Sequence, residues 1–548
     1  MMLKGFGEKF LNLILDKCGK IAGNQILAGC IYGFLPSVRL EESKIKNLNV
    51  LIIIEDYGGK VRGYREKLND VELKITASDK EIFEKDVKNE FLGGFLSDAL
   101  LTTYIPILNA EYLKKHELYV RVRTLRAIIE NLILEYPDLC HEMLIKPEYF
   151  IYELARRKIK VFPLFRHGTS LFFKEVLKEE NLKSLLKEYE PSLKKLEEDV
   201  IEVSNGYVRI KLSFIEELKK LKVKAFLRKI QRKTLTTILD LIPEISDLVI
   251  SEDFSIKGFE SPEKYLYIPT SMGYVSLAEK ISVDDFVYKL APTAKVLDVK
   301  IEEVGGILSS VYLLKVKFED KSEKRVVVKK FKDWIGLKWF PITLWTLGTS
   351  SFAVLGETRL AREYATNRFL KSKGFNVPEI LYVSPKEGLI FQEYIEGVSS
   401  KKIVKKILSG KNENLTQNLE FIREIGAEIA KVHAYNICIG DSKPENILIT
   451  DDNRIFFIDL EQASRGGDKA WDIAEFLYYS GHYALVTSPI KAVKELTKSF
   501  IEGYLESGGE EKFVRKAGSA KYTKVFSIFT LPHVILTISN LCKKLDGE

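Results

Sequence analysis

The chain has 548 residues, of which 46% are hydrophobic and 29% are charged, and its formal net charge is +7. This composition is typical of globular proteins and argues against a long disordered tail. The length predicts several folded units, and the small excess of 84 basic over 77 acidic residues indicates at most weak attraction to phosphate-rich partners.

The cysteines and the N-terminus both favour a cytoplasmic protein. The cysteines lie far apart and none has CxxC spacing, which argues against a zinc site or a disulfide framework: Cys18, Cys30, Cys140, Cys438 and Cys542. The first apolar stretch, Phe10–Leu15, is closely flanked by charged residues, so we predict no secretory signal peptide.

The N-terminal region begins with an amphipathic helix over residues 8–18, followed by predicted strands at Gln25–Leu35 and Leu48–Asp56. This α/β start faintly resembles the nucleotidyltransferase fold, whose Gly-Ser and Asp-x-Asp motifs bind catalytic magnesium. The corresponding positions here are Gly33-Phe34 and Asn47-Leu48-Asn49. Because neutral amides cannot replace carboxylates as ligands of a hard cation, the resemblance implies a degenerate domain retained for binding. An unrelated α/β domain is the interpretation that we favour over this one.

The middle of the chain is predicted to be mainly helical, with a hairpin across Asn205-Gly206. Its most cationic segment, Leu218–Lys233, could contact RNA or a membrane surface, but it carries no base-stacking module. We place a boundary at Ala291-Pro292-Thr293. The predicted division is an α/β domain at 1–165, a helical connecting region with short strands at 166–292, and a final domain at 293–548.

The final domain opens with a predicted hairpin that turns at Gly305-Gly306, where backbone N–H groups can approach phosphate oxygens closely. The next strand ends in two lysines, and because side chains alternate along a strand, only one can face a nucleotide. We favour Lys329 over Lys330. A following helix at Glu357–Lys373 carries Glu363 on a face that also bears apolar residues, so we expect an ion pair between Lys329 and Glu363.

The stretch from Gly440 to Asp459 carries the strongest chemical signal. Two short strands joined by a turn should bring Asp441, Asn446 and Asp459 together. Such a cluster suits phosphoryl transfer, in which Asp441 would orient the acceptor hydroxyl and take its proton while Asn446 and Asp459 hold magnesium. Lys443 would add a positive charge beside the transferring phosphate.

The order D-x-K-P-E-N, strand, Asp resembles the catalytic and metal-binding loops of protein-kinase-like folds. The region is most similar to the atypical branch: RIO kinases, the small kinase subunit of the KEOPS tRNA-modifying complex, and aminoglycoside phosphotransferases. Leu460-Glu461 replaces the usual Phe-Gly, and the stretch from Asp468 to Asp472 is similar to D-K-A-x-D of the KEOPS kinase. The resemblance implies that Asp472 braces the catalytic loop, and that backbone groups near Glu393 and Ile395 read the adenine edge.

The resemblance implies an α+β protein with a C-terminal bilobal protein-kinase-like domain, using ATP and Mg²⁺. Lys443 in D-x-K-P-E-N is typical of serine/threonine protein kinases, so a protein hydroxyl is the first choice of acceptor. The alternatives are a small-molecule or lipid-linked acceptor, motivated by Leu460-Glu461 and the short segment that follows, and an ATPase or scaffold in a tRNA-related assembly.

Two uncharged stretches reach the lower length limit for a membrane span, Trp339–Gly356 and Val525–Cys542. Both contain Pro and several Ser or Thr residues, so we interpret them as buried or interfacial. The first belongs to an apolar insertion, Trp334–Gly356, which is a candidate for substrate docking, peripheral membrane contact or packing against the N-terminal half. The sequence defines neither the oligomeric state nor a nucleic-acid partner.

Overall fold

The computed structural model describes residues 8–22, 25–34, 47–161, 179–220, 261–304, 310–332, 353, 355–410 and 414–544. Two units divide the chain, Met1–Tyr267 and Ile268–Glu548. Helices and sheets are mixed in both units, in agreement with the predicted α+β class. The three-part division at residues 165 and 292 stays a prediction.

The first unit is built around a five-stranded sheet with the order β3-β4-β2-β1-β5. Its central strand β2 is buried along nearly its whole length, which explains its continuous apolar run. Only β2 and β4 are parallel. The elements of this part are α1 Glu8–Ala22, β1 Ile26–Phe34, β2 Asn47–Ile54, β3 Val61–Leu68, β4 Val71–Asp79, α2 Lys80–Asn89, β5 Thr103–Leu108 and α3 Ala110–Glu135.

The early helix and strands of the sequence prediction are therefore present. The sheet also brings Gly33 beside Asn49, since a Cβ atom on Gly33 would lie 3.4 Å from the Asn49 amide nitrogen. The nucleotidyltransferase resemblance itself stays a prediction.

The described residues in the rest of the first unit form helices and short strands. Its elements are β6 Leu144–Ile145, α4 Glu148–Val161, α5 Glu179–Leu196, β7 Ile201–Ser204, β8 Tyr207–Ile210 and α6 Leu212–Lys220. The β7–β8 hairpin turns at Asn205 and Gly206, both with positive φ, which is the geometry that a two-residue turn requires. Most of the cationic segment Leu218–Lys233 lies outside the described residues. Strand β9, Leu266–Thr270, crosses the division between the units.

The second unit begins with an antiparallel sheet of order β11-β12-β13-β15-β14. One face of this sheet is covered by helix α7, whose Phe286 ring stacks on Phe391 at 3.9 Å between centroids. The opposite face carries Lys329 and meets helix α8. The elements are β10 Gly273–Ser276, α7 Val283–Leu290, β11 Val296–Glu303, β12 Ser310–Phe318, β13 Glu323–Lys330, α8 Gly356–Ser372, β14 Ile380–Ser384 and β15 Leu389–Glu393.

The remainder of the second unit is a helical layer that supports a three-stranded sheet, β16-β18-β19, and a two-stranded sheet, β17-β20. Its elements are β16 Val398–Ser399, α9 Ser400–Leu408, α10 Leu415–Ala434, β17 Ile437–Cys438, β18 Ile447–Ile449, β19 Ile455–Phe457, β20 Ser464–Arg465, α11 Lys469–His482, α12 Ile490–Glu506, α13 Glu511–Ala517, α14 Ala520–Phe526 and α15 Pro532–Lys543. Helices α10 and α12 approach so closely that a Cβ atom on Gly426 would lie 2.2 Å from the Phe500 carbonyl oxygen. That contact fixes the helix leading into the candidate catalytic loop.

Among the described residues, no helix combines the length and apolar character needed to cross a membrane. The stretch Val525–Cys542 contributes Val534, Ile538 and Cys542 to the core of the second unit, so its apolar residues serve packing there. The insertion Trp334–Gly356 lies almost entirely outside the described residues.

Candidate active site

The loop that follows helix α10 places Asp441 and Asn446 in contact. The Asn446 side-chain amide donates to the Asp441 carbonyl oxygen at 2.9 Å, and Lys443 Nζ lies 2.7 Å from Asp441 Oδ2. The antiparallel pair β18–β19 then leads the chain back to Asp459, two residues beyond the end of β19. The hairpin expected from the sequence is present.

Asp441 is half-buried and lies near two further carboxylates, Asp459 and Glu475. Burial raises the pKa of its carboxyl group and nearby Asp459 raises it further, while Lys443 opposes both effects. Burial and the charge of Asp441 likewise raise the pKa of Glu475 well above its ordinary value. Carboxylates crowded in this way favour a bound cation or a proton, so the site can serve as a base and as a ligand set for a hard metal ion.

Lys329 reaches the same region from strand β13. Its Nζ lies 2.8 Å from Glu363 Oε1 and 3.4 Å from Asp459 Oδ1, and it donates to the Ile458 carbonyl oxygen at 2.7 Å. Burial alone would lower the pKa of Lys329, but the charges of Asp459 and Glu363 outweigh it and the pKa is raised. Lys329 is therefore a permanent cation at physiological pH. Lys330 follows it on the other side of the strand.

Glu363 connects three elements within the second unit. Besides Lys329, it accepts a hydrogen bond from Gln392 Nε2 at 2.8 Å and one from the Leu460 backbone N–H at 2.6 Å. Its side chain is only 1% exposed. Gln392 was missed in the sequence analysis, although strand alternation contains the signal: it pairs with Val327, which is on the same face as Lys329.

A second buried ion pair, also missed from the sequence, joins helix α8 to the segment after Asp459. Arg359 Nη2 donates to both oxygens of Glu461, at 2.7 and 2.6 Å. Burial, followed by the charge of Asp459, raises the pKa of Glu461 to about 7, although Arg359 and Lys329 act to lower it. Arg359 lies one turn before Glu363, and this spacing is the only local signal of its role.

Asp472, at the start of helix α11, holds the backbone of the loop just before Asp441. Its carboxylate accepts hydrogen bonds from the backbone N–H of Gly440 at 2.8 Å and of Ile439 at 2.7 Å. It also lies 2.9 Å from His433 Nε2. These are the contacts that a residue bracing the catalytic loop would make.

His433, Cys438 and Asp472 together form a buried group whose ligand atoms lie within 4.8 Å of one another. A metal ion is poorly suited to it, because the Asp472 oxygens already accept the contacts above and burial raises the pKa of the Cys438 thiol, which disfavours the thiolate that would bind metal. His433 Nδ1 is 2.8 Å from the Tyr504 hydroxyl. We therefore assign this group a structural role.

The remaining candidate residues are placed as follows. Glu393 ends strand β15, where its backbone N–H donates to the Glu379 carbonyl oxygen at 2.8 Å, and Ile395 lies two residues further along the chain. Gly305 and Gly306, expected to approach phosphate, lie outside the described residues. The adenine and phosphate contacts of these four positions remain predictions.

Comparison with known proteins adds an independent observation. Residues 318–477 match the lipopolysaccharide kinase (Kdo/WaaP) family. The KEOPS complex subunit Bud32 of Pyrococcus abyssi is 28% identical over 158 residues, covering 29% of this chain and 68% of the relative. The "Probable serine/threonine-protein kinase BUD32 homolog" of Archaeoglobus fulgidus is 26% identical over 163 residues, covering 29% of this chain and 74% of the relative.

The matched part of the C-terminal unit is protein-kinase-like. The matched part of this kinase-like unit contains Lys329, Glu363, Asp441 and Asp459. A third relative, the EKC/KEOPS complex subunit bud32 of Dictyostelium discoideum, is 25% identical over 162 residues, covering 29% of this chain and 62% of the relative. These kinase relatives support a phosphotransferase activity for the kinase-like unit, whereas they do not agree on one class of acceptor.

Proposed function

We propose that the protein is an ATP- and Mg²⁺-dependent serine/threonine protein kinase that transfers the γ-phosphate of ATP to a protein hydroxyl. The observation that carries this proposal is that Lys329 Nζ lies 3.4 Å from Asp459 Oδ1. The same unit contains the ion pair between Asp441 and Lys443. Each of these groups has a distinct task in phosphoryl transfer.

Asp441 is the proposed base. The acceptor oxygen forms a bond to the γ-phosphorus, the bond to the ADP oxygen breaks, and the hydroxyl proton passes to Asp441. A carboxylate whose pKa is raised by burial accepts that proton more readily than an exposed one. Lys329, fixed by Glu363, would hold the α- and β-phosphates, and Lys443 would stabilise charge on the transferring group.

Asn446 and Asp459 offer the oxygen ligands that Mg²⁺ prefers, so the residues present fit this ion. Bound magnesium would neutralise charge on the β- and γ-phosphates. Asn446 directs its amide nitrogen to the Asp441 carbonyl, which leaves the other atom of its amide, the oxygen, as the metal-binding end.

A small-molecule or lipid-linked acceptor is the second candidate. It is favoured by the match to the lipopolysaccharide kinase family and by the short segment of eight residues between Asp459 and Asp468, which leaves no room for the peptide platform of ordinary protein kinases. The names of the Bud32 relatives, which are subunits of the KEOPS complex, favour a protein partner. An ATPase or scaffold in a tRNA-related assembly is the third candidate.

The acceptor class can be tested with γ-labelled ATP, Mg²⁺ and an extract of the source cells, separated afterwards into protein, organic-soluble and water-soluble small molecules. Label in protein that disappears with Asp441→Asn supports the first candidate. Label in an organic-soluble or small-molecule product overturns it in favour of the second. Release of inorganic phosphate with no labelled product favours the ATPase.

A further inference from the structure

A basic helix lies beside the candidate catalytic loop. Helix α9, Ser400–Leu408, buries its apolar residues and carries four lysines and no acidic residue: Lys401, Lys402, Lys405 and Lys406. Lys401 pairs with Glu445 at 3.0 Å. Within the part of the chain that the structure describes, no carboxylate forms an ion pair with the other three lysines, which are exposed. Three positive charges therefore face solvent without local neutralisation.

An uncharged loop, 484–489, runs alongside this helix. At one end of the loop, Tyr483 packs under two lysines of α9, with Lys401 Nζ 5.1 Å and Lys405 Nζ 5.3 Å from the ring centroid. At the other end, Pro489 packs beside Gly410, since a Cβ atom on Gly410 would lie 2.9 Å from Pro489 Cγ. The loop and the basic helix thus form one continuous surface.

The loop exposes large apolar side chains. Leu485 is 68% exposed and Val486 is 81% exposed. Ile528 is 66% exposed, and it directly precedes Phe529, whose carbonyl oxygen lies 2.7 Å from His482 Nδ1 just before the loop. We call the three exposed lysines of α9 together with Leu485, Val486 and Ile528 the basic–apolar surface.

We propose that the basic–apolar surface binds a membrane containing anionic lipid. Lysines adjoining exposed aliphatic side chains suit such a membrane, because its acidic headgroups attract the lysines while its acyl chains accept the aliphatic groups. Nucleic acid would match the lysines alone, since single strands are usually held by stacking on aromatic rings rather than by leucine and valine. Charge complementarity and the uncharged loop together favour the membrane.

This surface adjoins the proposed catalytic loop. The Tyr483 hydroxyl donates to a Glu445 carboxylate oxygen, and Glu445 stands next to Asn446. Binding a membrane here would therefore hold the catalytic loop close to lipid headgroups. The proposal concerns binding alone, so its test does not depend on the proposed phosphate transfer.

The test is sedimentation of the full chain with vesicles of pure phosphatidylcholine and with vesicles that also contain phosphatidylserine. We expect binding only to the anionic vesicles, weakening as salt is added. The charge variant Lys402→Gln/Lys405→Gln/Lys406→Gln should bind about 100-fold more weakly, from roughly fivefold for each lysine near an anionic surface. The apolar variant Leu485→Ser/Val486→Ser should also weaken binding.

Matched control variants make the same kinds of substitution in, or directly beside, strands β11 and β12 of the second unit. Lys295→Gln/Lys300→Gln/Lys317→Gln removes three exposed lysines, and Leu297→Ser/Ile301→Ser removes two exposed aliphatic side chains. Both controls should bind like the wild type, with thermal midpoints confirming that every variant is folded.

Three results would overturn the proposal: equal binding to neutral and anionic vesicles, binding that survives both surface variants, or no vesicle binding at all. Capture of RNA but not vesicles, lost in the charge variant alone, would assign the lysines to nucleic acid instead.

Discussion

Replacing Arg359 with methionine should destabilise the region around Glu461 more at alkaline than at acidic pH. Arg359 is 3% exposed and donates hydrogen bonds to both carboxylate oxygens of Glu461. Removing one partner of a buried ion pair leaves the other charge without compensation. Glu461 can avoid that cost by binding a proton, and its raised pKa of about 7 makes this easy at acidic pH.

The direction of this pH dependence follows from the linkage between proton binding and folding. Because the pKa of Glu461 is raised from 4.5 to about 7 on folding, its protonation stabilises the folded state fully below about pH 4.5, and this contribution is lost as the pH rises through about 7. Arg359 lowers this pKa, so Arg359→Met raises it further and extends the loss to higher pH. One unit of pKa corresponds to about 1.4 kcal/mol. The pH-dependent part of the destabilisation caused by Arg359→Met is therefore close to zero at about pH 5.5 and at most about 2 kcal/mol at about pH 8.5.

Native-state hydrogen exchange measures the local stability around Arg359 and Glu461. The opening free energies of residues 356–372 and 455–465 would be compared across pH after correction for intrinsic exchange rates. The double variant Arg359→Met/Glu461→Gln has no carboxyl group to titrate and should lose the additional pH dependence. A destabilisation by Arg359→Met that is the same at both pH values, or one that persists unchanged in the double variant, would refute the reasoning.

Three further predictions concern the site and its support. Lys329→Met should lower kcat/KM for ATP at least about 100-fold while Lys330→Met has little effect, and equal losses would refute the choice of Lys329. Gly440→Ala should cost about 1–3 kcal/mol in thermal unfolding, because its φ is +78° and the new Cβ would lie 2.4 Å from a carbonyl oxygen; Gly466→Ala, with φ of +68° and nothing nearer than 3.8 Å, should cost less. Asp472→Asn turns an amide N–H toward a backbone donor, so phosphate transfer should fall while ATP affinity is kept, and loss of ATP binding in a folded variant would contradict a bracing role.

The sequence predicts contacts well where a single periodicity decides them. Alternation along β13 separates Lys329 from Lys330, and helical spacing in α8 places Glu363 on the face toward the sheet. The structure brings Lys329 and Glu363 together at 2.8 Å, while their role in binding ATP stays a prediction. The α+β class and the kinase-like resemblance of the second unit are confirmed.

Contacts between distant segments are much harder to predict. Arg359 and Glu461 are separated by 102 positions, and neither residue has a neighbour in sequence that would identify its partner. Gln392 reaches Glu363 only because β15 pairs with β13, a register that depends on the whole sheet. The basic–apolar surface is similar, because α9 and the loop 484–489 meet only in the folded helical layer.

Turnover of ATP by the purified full chain tests the central claim most directly. Loss of the γ-phosphate from labelled ATP, whether transferred or released, would be measured with and without Mg²⁺ for the wild type, Asp459→Ala and Asp452→Ala. Asp452 is an exposed carboxylate in the turn of the same hairpin and serves as the matched control. We predict turnover that requires Mg²⁺, is abolished in Asp459→Ala and is unchanged in Asp452→Ala. Turnover by Asp459→Ala at the wild-type rate would contradict the proposed site.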